Sequence, residues 1–238
     1  MERFALIGYP VAHSGSPELF RKAYGGRWPY DLVEEEDFSL CWKRFLDSYK
    51  AVNITAPFKE KAYREVLSCG VIDPETRALG AINIAVKEAD GLVHGYNSDY
   101  LAVLGILREH GFGKGHTAVV AGFGGAGKAA AAAARKAGCD TVICNRTLRE
   151  KGIRPLEELP VLAGVAHILI YTIPGPAACP TLSCPAILEA NYRKPSLSQA
   201  NISSSDGPFH GYIPGTEWLL CQARAGYPLM TGCPIIAF

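Results

Sequence analysis

The feature that most constrains this chain is the run Val119-Val120-Ala121-Gly122-Phe123-Gly124-Gly125-Ala126-Gly127-Lys128, set between an apolar stretch at 117–121 and an alanine-rich stretch at 126–136. The first stretch reads as a buried strand and the second as a helix, which Gly138 can end. Glycines alone would mark only a turn. Between a strand and a helix, they are the pattern of a dinucleotide-binding turn. Gly122 would allow the tight turn, Gly124 and Gly125 would allow a close approach of the backbone, and Gly127 falls at the third small position. Ala126 opens the helix, whose N-terminal N–H groups would face a pyrophosphate.

The next strand, 141–144, ends in Asn145-Arg146-Thr147. Enzymes that select NAD place an acidic residue at this point, on the ribose hydroxyls. A guanidinium here fits a 2′-phosphate instead, and Asn145 and Thr147 can add neutral hydrogen bonds. The pattern therefore favours NADP(H). Asp140 precedes the strand and should lie at its wrong end. Arg149 is a second candidate for the phosphate, equally well read as a solvated arginine.

Strand-like runs at 4–8, 30–33 and 51–54 alternate with helical stretches at 17–24, 38–49 and 58–69. Residues 81–87 and 92–96 resemble a hairpin, followed by a helix over 98–109. A further strand is expected at 166–171 and an amphipathic helix at 216–225. The residues from 174 to 185 read as loop, and 196–214 show no usable period. This alternation predicts an α/β fold of two domains: an N-terminal α/β substrate domain (1–98, completed by 215–238) and a Rossmann-like NADP-binding domain (99–214).

With 24 basic and 23 acidic residues, the chain has no broad electrostatic footprint for nucleic acid or an anionic membrane, so any anion must be held locally. No apolar run approaches a membrane span, and the first residues show no signal-peptide pattern. The eight cysteines include no C-x-x-C pair, which argues against a zinc site and a disulfide scaffold. A cytoplasmic protein with reduced thiols and no metal is expected.

Four polar clusters precede the glycine-rich turn: His13-Ser14-Gly15-Ser16-Pro17, Asn53-Ile54-Thr55-Ala56-Pro57-Phe58-Lys59, Gly80-Ala81-Ile82-Asn83 and Gly95-Tyr96-Asn97-Ser98-Asp99. All are expected where strands end, the place where open α/β sheets gather ligands. Taken singly, Ser16-Pro17 reads as a helix cap with proline at N1, and Asn97-Ser98-Asp99 as a turn and helix start. Their joint occurrence and order resemble the H-S-x-S-P, N-V-T-x-P-x-K, G-A-x-N-T and G-x-N-T-D signatures of the shikimate dehydrogenase family. The glycine turn and Asn145-Arg146-Thr147 follow in the family's order. Gly215-Thr216-Glu217-Trp218-Leu219-Leu220-Cys221-Gln222 resembles the helix that ends in its substrate-binding glutamine.

The resemblance implies reversible hydride transfer between NADPH and the C3 carbonyl of 3-dehydroshikimate. It implies that Ser14 and Ser16 hold the substrate carboxylate, that Thr55, Asn83 and Gln222 hold ring hydroxyls, and that Tyr192 is a further substrate contact. Lys59 and Asp99 are the implied catalytic pair. As hydride reaches C3, an ammonium can stabilise the growing charge on oxygen and deliver a proton, while a carboxylate can orient the lysine and anchor the adjacent hydroxyl. The pattern does not decide which of the two transfers the proton.

The departures from the family pattern lie mostly in the cofactor half. Tyr171-Thr172-Ile173-Pro174-Gly175 lacks the asparagine of an N-A-T-P-x-G-like loop, and Glu189 stands for aspartate in a D-x-x-Y-x-P-like region that has one extra residue. Quinate or aminoshikimate dehydrogenation remains an alternative within the same chemistry. A non-catalytic metabolite or NADP sensor is the alternative of another class, disfavoured because both Lys59 and Asp99 are present. A homodimer stays open, since no pattern fixes the number of subunits.

Overall fold

The computed structural model describes residues 1–148, 151–175, 182–203 and 210–238, so Arg149 and part of the 174–185 loop lie outside the described residues. The chain divides into two compact units, Met1–Ser98 with Ala223–Phe238, and Asp99–Gln222.

The first unit begins with β1 (Phe4–Gly8), α1 (Ser16–Ala23), β2 (Tyr30–Glu34), α2 (Phe38–Ser48), β3 (Ala51–Ile54) and α3 (Lys59–Cys69). It continues through β4 (Val71–Ile72), α4 (Pro74–Leu79), β5 (Ile84–Lys87) and β6 (Val93–Tyr96). The sheet order is β2-β1-β3-β5-β6-β4, with β1 parallel to β2 and β3, and β5 antiparallel to its neighbours β3 and β6. β1 is buried along its whole length, as expected for a strand covered on both faces. Ala5 and Ile7 pack with Phe38, Trp42 and Phe45 of α2, while Phe4 packs with Phe20 of α1 on the opposite face.

The residues of α2 that reach the core, Phe38, Cys41, Trp42 and Phe45, follow a helical period, and Asp37 caps the helix by accepting from Ser39 N at 2.8 Å. The C-terminal end of the chain closes the other face. Ala223, Tyr227 and Met230 join the Phe4–Phe20 cluster, and a Cβ on Gly226 would come within 2.6 Å of Ile84 Cδ1.

The second unit holds most of α5 (Ser98–Glu109), then β7 (Thr117–Ala121), α6 (Gly125–Ala137), β8 (Asp140–Asn145), β9 (Ile153–Pro155), α7 (Leu159–Gly164) and β10 (Ile168–Tyr171). After these come β11 (Ala186–Glu189), β12 (Gly211–Ile213) and the first part of α8 (Gly215–Thr231). All pairings in its sheet are parallel, in the order β12-β11-β10-β7-β8-β9. Read from β9, this is the doubly wound Rossmann order, which reverses between β7 and β10.

Several elements differ from the sequence expectations. Residues 81–83 are not strand: Ile82 N donates to the Lys59 carbonyl and the Ala81 carbonyl accepts from Asn97 Nδ2, so only Asn83, just before β5, bonds across to the neighbouring strands. Ser16 does not cap α1. It is the first residue of the helix, Gly15 holds the cap position, and no side chain caps it. The last helix runs past 225 to Thr231 with Pro228 inside, a residue that costs one helical hydrogen bond without ending the helix.

Candidate active site

In the first unit the four polar clusters form one hydrogen-bonded edge of the sheet. β1 and β3 are parallel, so Gly8 and Ile54 both end there. β5 runs the opposite way, so Asn83, just before its first residue, reaches the same edge, and β6 brings Tyr96 back to it. The first and second clusters are bridged by the Tyr30 hydroxyl, which is hydrogen-bonded with Ser16 and donates to Asn53 Oδ1, and just ahead of the first cluster Tyr9 N donates to the Ala56 carbonyl at 3.2 Å. A Cβ on Gly8 would lie 2.4 Å from Thr55 Cγ2, so only glycine permits this approach.

The second and third clusters are joined by Ile54 N to the Asn83 carbonyl at 2.8 Å and by Ile82 N to the Lys59 carbonyl at 3.2 Å. The third and fourth interlock through side chains. Ser98 N donates to Asn83 Oδ1 at 2.7 Å, Asn83 Nδ2 donates to Ser98 Oγ at 3.1 Å, and Asn97 Nδ2 donates to the Ala81 carbonyl at 2.9 Å. Asn83 is buried and spends one amide N–H and its oxygen on the start of α5.

Ser14 and Ser16 are half-buried and adjacent. Ser14 Oγ accepts from Ser16 N at 3.2 Å and donates to Ser16 Oγ at 3.0 Å, which leaves the Ser16 hydroxyl hydrogen to point elsewhere. Thr55 is half-buried after β3, and Lys59, also half-buried, opens α3. Five of the expected site residues, Ser14, Ser16, Thr55, Lys59 and Asn83, thus share one edge. Asp99 follows Ser98 directly in the first turn of α5 and is only 5% exposed.

Two residues here were not singled out from the sequence. Tyr30 donates to Asn53 Oδ1 at 2.7 Å. Burial raises the pKa of its phenol well above the ordinary value, Tyr227 adds to the rise, and a hydrogen bond with Ser16 opposes it. Glu34, the last residue of β2, accepts from Val11 N and Ala12 N, and the Val11 carbonyl in turn accepts from Ser14 N at 2.8 Å. One carboxylate therefore anchors the loop that presents both serines. A tyrosine in a strand reads as core and a glutamate at a strand end reads as surface, so no local signal marks either.

In the second unit, Gly122 has φ +93°, and Gly124 is the N-cap of α6, whose first residues are Gly125 and Ala126. A Cβ on Gly127 would lie 2.1 Å from the Gly122 carbonyl oxygen, whereas one on Gly124 would meet nothing within 4 Å. The turn is therefore held tight from the inside and left open on its outer side. Asn145 ends β8, with Arg146 and Thr147 exposed just beyond it, and Asp140 begins the strand at the opposite end. Asn145 Nδ2 donates to the Thr147 carbonyl at 3.0 Å, so Asn145 also shapes the turn that carries Arg146. Tyr192 lies in the loop after β11 with the Arg193 guanidinium over its ring, and Gln222 is half-buried in α8. Tyr192, Gln222 and Asp99 belong to the second unit, apart from the five residues on the edge of the first. Among the described residues, no helix is long and apolar enough to cross a membrane, and no group of three or more His, Cys, Asp or Glu could hold a metal ion.

A polar edge at the strand ends of one unit, in a chain that also carries a Rossmann sheet with an open glycine turn and a basic second-strand end, is the pattern of a dinucleotide-dependent oxidoreductase. Residues 6–85 match the sequence model of the shikimate dehydrogenase substrate binding domain. The chain is 32% identical over 262 residues to the NADP(+) shikimate dehydrogenase of Rubrobacter xylanophilus, covering 95% of this chain and 89% of the relative. It is 32% identical over 194 residues to that of Thermus thermophilus, covering 76% and 72%. The solved structure of a Thermus thermophilus shikimate 5-dehydrogenase in complex with NADP(H) and shikimate superimposes with a TM-score of 0.77 at 27% identity, covering 99% of this chain and 95% of that one. The chain belongs to the shikimate dehydrogenase family.

Proposed function

We propose that this protein reduces 3-dehydroshikimate to shikimate, reversibly, with NADPH. The observation that carries the reading is the hydrogen-bonded edge that unites four separate polar clusters of the first unit around Ser14, Ser16, Thr55, Lys59 and Asn83. The residues of the second unit fit the dinucleotide. The open outer side of Gly124 and the N-terminus of α6 suit the pyrophosphate, and Arg146 suits the 2′-phosphate. When bound, NADPH supplies the hydride that adds to C3.

Ser14 and Ser16 bind the carboxylate of the acid through neutral donors, the Ser14 hydroxyl turning from Ser16 Oγ to the ligand. Thr55, Asn83 and Gln222 hold the ring hydroxyls, and Tyr192 is a further substrate contact. Lys59 stabilises the charge that develops on the C3 oxygen and gives it a proton; in the oxidising direction it takes that proton back. Asp99, a nearly buried carboxylate, accepts from the hydroxyl next to the reacting carbon. Free thiols at all seven described cysteines support a cytoplasmic location.

The test is loss of nicotinamide absorbance with 3-dehydroshikimate, using NADPH and NADH in parallel, for wild type and Lys59→Ala. NADPH-preferring turnover that falls about 10²- to 10⁴-fold in the variant is expected from loss of a general acid. Folded wild-type protein that binds NADPH and the acid without turnover would instead be a metabolite sensor.

A further inference from the structure

Glu189, the last residue of β11, is fully buried, and the chemistry proposed above makes no use of it. Its carboxylate accepts four hydrogen bonds. Oε1 takes Ser196 N at 2.6 Å and Asn191 Nδ2 at 3.1 Å, and Oε2 takes Leu197 N at 3.1 Å and the Tyr212 hydroxyl at 2.7 Å. A buried carboxylate is tolerated only when its acceptor sites are filled in this way, and removing one acceptor strands donors that water cannot reach. Burial, and after it the adjoining Glu189 carboxylate, raises the pKa of the Tyr212 phenol well above its ordinary value.

The network does not end at the carboxylate. The same Asn191 amide donates to the Ile173 carbonyl at 2.7 Å, in the loop after β10. That loop lies against the dinucleotide turn. Thr172 N and Thr172 Oγ1 both donate to the Ala121 carbonyl at 2.8 Å, and a Cβ on Gly122 would meet Thr172 Oγ1 at 2.7 Å and Ile173 Cγ1 at 3.3 Å. The loops after β10 and β11 also touch: a Cβ on Gly175 would lie 2.5 Å from Ser196 Oγ and 2.6 Å from the Lys194 carbonyl oxygen. One carboxylate thus ties the C-terminal ends of β10, β11 and β12 to the glycine turn after β7.

The strand order reverses between β7 and β10, and a doubly wound sheet binds its dinucleotide across that reversal, with one mononucleotide on each half. Arg146 lies on the β7-β8-β9 half, which takes the adenosine 2′-phosphate. The β10-β11-β12 half is left for the nicotinamide. We infer that Glu189 is a positioning residue for the nicotinamide half of the cofactor, acting through Asn191 and the Ile173 carbonyl. This rests on the NADPH reading above.

The test measures two ligands by fluorescence titration: NADPH, and adenosine 2′,5′-bisphosphate, which lacks the nicotinamide half. Glu189→Gln replaces one oxygen with an amide that faces two donors, and Asn191→Ala removes the amide that joins Glu189 Oε1 to the Ile173 carbonyl while leaving the other three bonds of the carboxylate in place. Each variant is expected to weaken NADPH about tenfold, the size of a lost buried hydrogen bond, and to leave the bisphosphate within about twofold of wild type. The double variant should lose less than the two single losses together, because both act through one path. Equal weakening of both ligands, or no change in NADPH affinity, overturns the inference, since a general structural role would move the two in step. If Glu189→Gln does not fold, Asn191→Ala decides by the same criterion. Wild-type protein that binds neither ligand would refute the cofactor reading itself, an outcome separate from either of these.

Discussion

Gly124 and Gly127 belong to one turn, yet alanine at each should fail in a different way. At Gly127 the new Cβ would sit 2.1 Å from the Gly122 carbonyl oxygen and 2.8 Å from its carbonyl carbon, against the 3.4 Å at which ordinary contact begins. Both neighbours are backbone, so no rotamer change relieves the clash, and the cost lies at the upper end of the overpacking range, about 3 kcal/mol. Alanine inside a helix returns about 1 kcal/mol in propensity. The net loss of about 2 kcal/mol corresponds to a fall in Tm of roughly 4 to 8 °C for a chain of this size.

At Gly124 the Cβ meets nothing within 4 Å, and φ −78° with ψ −166° is open to any residue. Its weaker helix capping and its stiffer unfolded chain roughly cancel, so stability should stay within about 0.5 kcal/mol of wild type. The added methyl instead occupies the approach of the pyrophosphate to the helix N–H groups. Losing one such charged hydrogen bond is worth about 1.5 to 3 kcal/mol, roughly a 10- to 100-fold rise in the Kd for NADPH. Thermal denaturation and NADPH titration of the two variants read both quantities. A Gly124→Ala protein that melts as low as Gly127→Ala, or that binds NADPH like wild type, would refute the assignment of the open side of the turn.

Three further outcomes are expected. Arg146→Ala should raise the KM for NADPH roughly 10- to 100-fold and leave that for NADH nearly unchanged, which steady-state kinetics with both cofactors would check. Glu34→Gln should loosen the loop that carries Ser14 and Ser16 and raise the KM for the acid about fivefold at similar kcat, the partly exposed carboxylate limiting the effect; an unchanged KM removes it as the loop's anchor. Burial pushes the Cys184 thiol up from an ordinary value of 9.0 to about 11, so the folded chain keeps a proton that the unfolded chain has lost. Its contribution is complete below pH 9 and disappears as pH rises to about 11, a fall of about 2 to 3 kcal/mol that Cys184→Ala should remove from urea unfolding curves.

The expected strands 51–54 and 117–121 and the helix 98–109 coincide with β3, β7 and α5, because each couples a clear period to a proline, glycine or capping residue at its ends. Shorter elements carried no such signal. β4 has two residues and β12 three, too few for a period, and they exist by pairing with β6 and β11. β9 ends in Pro155, which argues against a strand except at a sheet edge, the position it occupies. Residues 81–83 misled because apolar composition does not reveal that Asn97 and Lys59 compete for their backbone groups. In the first unit, the polar clusters that the structure brings to one sheet edge were legible in the sequence. The residues that hold those clusters in place were not, because Tyr30 reaches Asn53, Glu34 reaches Val11 and Glu189 reaches Tyr212 only after the chain has folded.

Glu34 and Glu189 solve the same problem in the two sheets. Each is the last residue of a parallel strand, and each accepts backbone N–H groups from a loop at the ligand-gathering edge. Such loops leave the regular ladder, so their N–H groups lose their strand partners, and a buried N–H without an acceptor is costly. A serine or asparagine at these places would offer one oxygen, whereas a carboxylate offers two oxygens with about four acceptor sites and can organise several donors at once. In the proposed site the ligands meet mainly neutral donors, namely the serine hydroxyls, the Thr55 hydroxyl, the Asn83 amide and the helix N–H groups, with Lys59 and Arg146 as the proposed cationic contacts. On this proposal a chain with a net charge of +1 binds two anionic ligands without a basic surface: Glu34 and Glu189 organise the loops, and Lys59 and Arg146 serve where charge develops and where a phosphate must be distinguished from a hydroxyl.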